Sequence, residues 1–297
     1  SFGDPKTVSS TVRDPRYVMA VDLDADGDLD LLATNTGDDS IIWFVNDGGG
    51  TFSPAVDIGT LASANINRPG SAIAADLDGD DRLDILVANT DRDELVWFKG
   101  TDGAGNFSTE SEIIDDNFGA AHAAVADLDG DGDLDVVSAS DAKLTWFENE
   151  DGRDFSSGVA LESSGSGWTY VEMADIDGDN NIDVISSSTA PDSFYLFLND
   201  EGDFSTGVSL GLIDGAEAIF AGDLDKDGDM DIVGCASGSG EILLYENIGG
   251  ADTFLAKGTV INQYPGCFHV TAADLDGDGD LDLVVSSTLN DEISFLE

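Results

Sequence analysis

Positive charge is scarce in this chain: 11 lysines and arginines stand against 62 aspartates and glutamates in 297 residues, a formal charge of −51. Such a surface is repelled by phosphate backbones and anionic lipid, which excludes nucleic acid and acidic membrane faces as partners. Long apolar runs are also missing; none approaches the roughly 18 residues a spanning helix needs, so no membrane insertion is expected. With only two cysteines, Cys235 and Cys267, there is no disulfide framework; one bridge is possible and the sequence does not decide it. No stretch keeps a helical period of apolar residues. Ser1 to Ser10 has neither a basic start nor an apolar block, as in a secreted chain whose leader has been removed. Asn106-Phe107-Ser108 forms a glycosylation sequon, a weak signal at this length.

What the chain does have is aspartate at fixed intervals. The pattern Asp-x-Asp-x-Asp-x-x-x-Asp occurs six times, at Asp22–Asp30, Asp76–Asp84, Asp127–Asp135, Asp175–Asp183, Asp223–Asp231 and Asp274–Asp282, with starts 48 to 54 residues apart. These stretches hold 29 of the 62 acidic residues, so the acidity is organised rather than a general solvated surface. A small-residue apolar run precedes each loop (Ala72-Ile73-Ala74-Ala75) and a β-branched run follows it (Ile85-Leu86-Val87). A third run is aromatic (Ile42-Trp43-Phe44, Val96-Trp97-Phe98, Thr145-Trp146-Phe147), and a turn leads to a fourth opening on Phe52, Phe107, Phe155, Phe204 or Phe254. Four short strands per unit of about 50 residues is the period of a propeller blade. The expected fold is therefore all-β: a six-bladed β-propeller of four-stranded antiparallel blades, forming one domain over residues 1–297. Trp43, Trp97 and Trp146 are expected between blades. Residues 1–9 read as a fourth strand, and the chain stops at a third strand (Ile293–Glu297), so the N-terminal segment is expected to complete the last blade and remove an open sheet edge.

The loops have the chemistry of a hard-cation site. Calcium takes six to eight oxygens, and alternate carboxylates on a tight turn can converge on one ion. Carboxylates are expected from the first, third, fifth and ninth positions and a backbone carbonyl from the seventh. The candidate ligands are Asp22, Asp24, Asp26, Asp28 and Asp30; Asp76, Asp78, Asp80, Arg82 and Asp84; Asp127, Asp129, Asp131, Asp133 and Asp135; Asp175, Asp177, Asp179, Asn181 and Asp183; Asp223, Asp225, Asp227, Asp229 and Asp231; Asp274, Asp276, Asp278, Asp280 and Asp282. About six calcium ions follow. The sixth position needs a left-handed backbone, supplied by Gly27, Gly132, Gly228 and Gly279; Asp81 and Asn180 stand there in the other two loops, which are expected to bind more weakly. An EF-hand is excluded because its twelfth position requires Glu, whereas here it is Ala33, Val87, Ser138, Ser186, Gly234 and Val285. Magnesium suits such a cage poorly, since it keeps its waters.

The Asp loops, exemplified by Asp127-Leu128-Asp129-Gly130-Asp131-Gly132-Asp133-Leu134-Asp135, together with third strands of the Trp-Phe-Glu-Asn kind, resemble the FG-GAP/VCBS-type repeats of integrin α-subunit propellers and secreted microbial and algal proteins. The resemblance covers the whole chain. It implies calcium in the blade hairpins, an extracellular or cell-surface setting, and adhesion or ligand binding. Integrin-like members have seven blades; six repeats are counted here.

Five residues before each first Asp lies a second ring: Tyr17, Ser71, His122, Tyr170, Ala218 and His269, which includes both histidines of the chain. Arg16, Trp168, Glu217 and Phe268 lie beside it. Aromatic and polar groups together suit carbohydrate, so Arg16, Tyr17, His122, Trp168, Tyr170, Glu217 and His269 are candidate ligand contacts, with packing around the axis as the plain alternative. The expected function is a non-catalytic module binding a glycan or an extracellular protein. The alternatives are a polysaccharide lyase using His, Tyr and Arg, and a structural subunit of an extracellular assembly. Glu172 falls within a first strand, where it either lines the axis or meets a local partner.

Overall fold

The computed structural model describes residues 7–58, 66–115, 119–150, 152, 154–162, 165–249, 254–275, 277–290 and 292–296. Among them the structure is all-β, with one short 3-10 turn at Thr90–Arg92 and no α-helix. Six antiparallel sheets form the blades of a six-bladed β-propeller. Blade 1 runs Pro15–Val21, Asp30–Asn35, Ser40–Phe44 and Val56–Asp57, each strand paired with the next. Blade 2 repeats this order with Pro69–Ala75, Asp84–Asn89, Glu94–Gly100 and Phe107–Asp115, and blade 3 with Ala120–Ala126, Asp135–Ser140, Leu144–Phe147 and Val159–Glu162. Blade 4 has Ser166–Ala174, Asp183–Ala190, Asp192–Phe197 and Val208–Leu212; blade 5 has Ala216–Gly222, Asp231–Ala236, Glu241–Asn247 and Phe254–Asn262. Blade 6 shows three strands, Cys267–Ala273, Asp282–Ser287 and Glu292–Leu296. Residues 1–6 of the expected closing strand lie outside the described residues, and Thr7 to Ser9 form no strand.

By internal contact the chain divides into two compact units, Ser1–Val125 with Asp133–Ser140 and Trp146–Val159, and Ala126–Gly132 with Asp141–Thr145 and Ala160–Glu297. In the first, Leu32, Ile41, Trp43, Ile85, Val96 and Phe98 pack between blades 1 and 2. Leu86, Leu95, Trp97, Val136 and Phe147 pack between blades 2 and 3, with Phe155 edge-on to Trp97 at 5.6 Å. Trp43, Trp97 and Trp146 are all buried, as their place in the third strands predicts. In the second unit, Ile185, Phe194, Ile219, Ile232 and Tyr245 join blades 4 and 5, while Val233, Ile242, Val270 and Val285 join blades 5 and 6. Cys235 and Cys267 are disulfide-bonded across these last two blades.

The first strands of blades 1, 2, 4, 5 and 6 each carry a β-bulge near the start; the shift falls at Pro15/Tyr17, Pro69/Ala72, Trp168/Tyr170, Ala216/Ile219 and Cys267/His269. A bulge re-aims the side chains that follow it. Hydroxyls stitch the bulged backbone: Thr34 Oγ1 accepts the Tyr17 N–H at 3.0 Å, and Ser187 Oγ donates to the Glu217 carbonyl of the next blade. Close approach also fixes Gly70, where an added Cβ would lie 2.1 Å from the Ala121 carbonyl oxygen.

Candidate functional site

Each Asp loop is the hairpin between a first and a second strand, and its ninth residue opens the second strand. The turn is built the same way around the chain. The first-position carboxylate accepts the N–H of the sixth residue: Gly27 on Asp22, Asp81 on Asp76, Gly132 on Asp127, Asn180 on Asp175, Gly228 on Asp223 and Gly279 on Asp274, at 2.7 to 3.2 Å. The sixth residue is left-handed in all six loops, including Asp81 (φ 64°) and Asn180 (φ 76°). So is the fourth, with Gly79, Gly130, Gly178 and Gly277 joined by Ala25 and Lys226. The seventh-position N–H reaches the fifth-position carboxylate in the loops of blades 1, 2, 4, 5 and 6, as in Asp28 on Asp26 and Asp229 on Asp227.

These turns bring carboxylates together. Oxygens of Asp22, Asp24 and Asp30 lie within 4.8 Å of one another, as do those of Asp76, Asp78 and Asp84, of Asp127, Asp129 and Asp131, of Asp175, Asp177 and Asp183, and of Asp223, Asp225 and Asp227. In the sixth loop Asp276 lies outside the described residues. The third-position residue is the focus. Burial first, and neighbouring carboxylates after it, push the Asp24, Asp78, Asp129 and Asp177 carboxyls above their usual range. Asp24 Oδ1, Asp78 Oδ1 and Asp223 Oδ1 are buried with no hydrogen-bond partner. A buried carboxylate oxygen facing other carboxylates, with no donor, is a costly arrangement unless a cation completes it. The donor set, all oxygen and several-fold anionic, fits a hard divalent ion.

The ninth position has a second role that its aspartate alone does not announce. Each is buried. One oxygen accepts the N–H of the loop's second residue (Leu23, Leu77, Ile176, Leu224 or Leu275). The other accepts the N–H at the end of the third strand, from Asn46, Gly100, Asn149, Asn199 or Asn247, at 2.7 to 2.9 Å. Three of those asparagines reach on to the preceding blade: Asn149 Nδ2 donates to the Leu77 carbonyl, Asn199 Nδ2 to Leu128 and Asn247 Nδ2 to Ile176, each at the second position of that blade's loop. These bonds tie the loops of blades 2 and 3, 3 and 4, and 4 and 5 to one another.

On the first strands the second ring forms pairs. Tyr17 and His122 meet edge-on at 5.7 Å; so do Tyr170 and His269, with Tyr170 Oη 3.3 Å from His269 Nε2. Each pair reaches over an intervening blade whose ring residue is small, Ser71 or Ala218. Burial disfavours the charged imidazolium of His269 and lowers its pKa. Arg16 is exposed, and Glu217 Oε1 accepts the Ser237 hydroxyl at 2.9 Å. Trp168 is fully buried beside Tyr195 and Phe197, so it offers no face to a ligand.

Glu172 follows Tyr170 by two residues, and burial pushes its carboxyl up to about 7. The folded protein therefore holds this proton where the unfolded chain, near 4.5, does not. Stability from this group is fully present below about 4.5 and is lost as pH rises through about 7. Glu172→Gln should match the parent at pH 4 and exceed it by up to about 3 kcal/mol at pH 8; urea melts at both values check this.

The FG-GAP-like repeat family matches residues 22–87, 76–138, 127–186, 175–234 and 233–285; the first four matches run from one loop through the next blade's, and the fifth runs from the second strand of blade 5 through the loop of blade 6. No curated protein matched the chain. Among solved structures, the chain is similar to an Agrocybe aegerita lectin described as specifically recognising non-reducing terminal N-acetylglucosamine (20% identity, 85% of this chain and 67% of that one, TM-score 0.58). It is also similar to a protein from Lactobacillus plantarum (14% identity, 96% and 84%, TM-score 0.59).

Proposed function

The chain belongs to the FG-GAP-like repeat family, and from that premise we propose that it is a calcium-loaded, extracellular or cell-surface propeller that binds a glycan or protein without turning it over. The observation that carries the metal reading is the set of buried, unpartnered carboxylate oxygens on Asp24, Asp78 and Asp223, each inside a cluster of like charges. Ions held by the first-, third-, fifth- and ninth-position carboxylates and the seventh-position carbonyl would neutralise those clusters and fix the hairpins. The Cys235–Cys267 disulfide supports an oxidising compartment, and extracellular calcium suits sites of this kind.

The glycan reading is supported by the fold shared with the lectin and by the Tyr17–His122 and Tyr170–His269 pairs, which combine aromatic faces with polar edges. A glycan array probed with the calcium-loaded protein should show retention on a defined subset. Tyr170→Ala and His269→Ala should each weaken it by about tenfold or more, a loss of order 1.4 kcal/mol. Retention on no glycan, with large partners captured instead, would point to a structural subunit; an absorbing unsaturated product from a uronate polymer would point to a lyase.

A further inference from the structure

Five of the six loops carry Asp or Asn at the seventh position; the blade-2 loop carries Arg82. The Arg82 guanidinium hydrogen-bonds to Asp80 Oδ2, and the Arg82 backbone N–H donates to Asp80 Oδ1 at 3.0 Å. One residue thereby engages both oxygens of the fifth-position carboxylate. Blade 4 closes its fifth position the same way, but with the neutral amide of Asn181 on Asp179. A second cation reaches blade 2 from its third strand. Lys99 Nζ lies 3.9 Å from Asp78 Oδ2 and 4.2 Å above the Trp97 ring, which is itself fully buried. The equivalent sequence positions in blades 1, 3, 4, 5 and 6 are Val45, Glu148, Leu198, Glu246 and Glu297, none of them basic. Lys226 on the fifth loop is a half-exposed cation whose direct partner is the seventh-position Asp280 of the next loop, with Asp278 and Asp274 acting on it only through the field, whereas Arg82 and Lys99 pair directly with the fifth- and third-position carboxylates.

We infer that the blade-2 loop is the weakest of the metal sites, with Arg82 and Lys99 supplying in place the positive charge that the other loops take from an ion. This rests on the calcium reading above. Two of the carboxylates an ion would need, Asp78 and Asp80, already face a cation, and a divalent ion entering there meets repulsion instead of unscreened negative charge. Blade 2 is then held closed whether or not calcium is present.

The test uses the whole, calcium-stripped protein and its Arg82→Asn/Lys99→Val variant, whose new residues are those of blades 4 and 1. Both side chains are partly exposed, at 40% and 29%, so the fold should tolerate their loss. Calcium titration by calorimetry, with ions counted by native mass spectrometry, should find one site in the parent at least about tenfold weaker than the rest. That site should tighten by a similar factor in the double variant and part of the way in each single variant. Six equal sites in the parent, or a weak site that the substitutions leave unmoved, would overturn the inference and leave the calcium reading standing. No bound ion at all would overturn both.

Discussion

Removing calcium should lower the melting temperature by upwards of about 20 °C. An ion bound only by the folded loop stabilises by about 2.7 kcal/mol per site at a hundredfold excess over Kd. Five such sites sum to more than about 10 kcal/mol, and each kcal/mol moves a domain of this size by about 2 °C. The effect should depend on pH with a definite sign. Without metal, burial and then neighbouring carboxylates hold Asp24, Asp78, Asp129 and Asp177 above the ordinary range, and burial takes Asp84 and Asp183 to about 6. Folded carboxylates then bind protons more readily than unfolded ones. The stability they give is complete below the unfolded value of 3.8 and is lost as pH rises through about 6. A bound ion reverses this by holding the same groups ionised. The chelator effect should therefore be largest at pH 8 and shrink towards pH 5. Calorimetric scans at both values, with chelator and after calcium is returned, would measure it. An unchanged melt at pH 8 after thorough chelation would end the metal reading.

The parts of this architecture that repeat were the legible parts. The loop spacing, the four runs per unit and the Trp43, Trp97 and Trp146 series each recur at one period, and periodicity is a signal a single sequence carries. The left-handed sixth position was readable because Gly27, Gly132, Gly228 and Gly279 mark it. The fourth position was as readable, from Gly79, Gly130, Gly178 and Gly277, but Ala25 and Lys226 obscure it, and both adopt the strained conformation all the same. What the sequence did not show depends on contact between distant residues. Nothing in a separation of 32 residues places Cys235 against Cys267. Trp168 lies two residues before Tyr170 on the same strand, yet it turns into the core, because the bulge between them breaks the alternation that would have put them on one face. The Tyr–small–His alternation of Tyr17, Ser71 and His122, repeated in Tyr170, Ala218 and His269, was visible as a list of residues. Its meaning, that the small residue lets the two rings meet, needed the register.

The ninth-position aspartate shows how one residue type can hide two functions, and a pair of substitutions separates them. Asp183 is fully buried, and its oxygens accept the Ile176 and Asn199 N–H groups, each at 2.8 Å. Asp183→Ala leaves two buried donors unpaired at about 1–3 kcal/mol each, so it should destabilise by about 3–5 kcal/mol even in chelator. Asn199 ties this residue to the Leu128 carbonyl of the preceding loop, so the damage should spread to blade 3. Asp179→Ala removes an exposed fifth-position carboxylate whose donors, Asn181 N and Nδ2, can turn to water. It should cost less than about 1 kcal/mol in chelator and act mainly by weakening one ion. Urea unfolding of both variants, with and without calcium, makes the comparison. If Asp183→Ala were neutral without metal, the ninth carboxylate would be a ligand and nothing more. If it is costly, the hairpin is already shaped by its own backbone donors before an ion arrives, and calcium completes a preformed turn instead of folding a loose one.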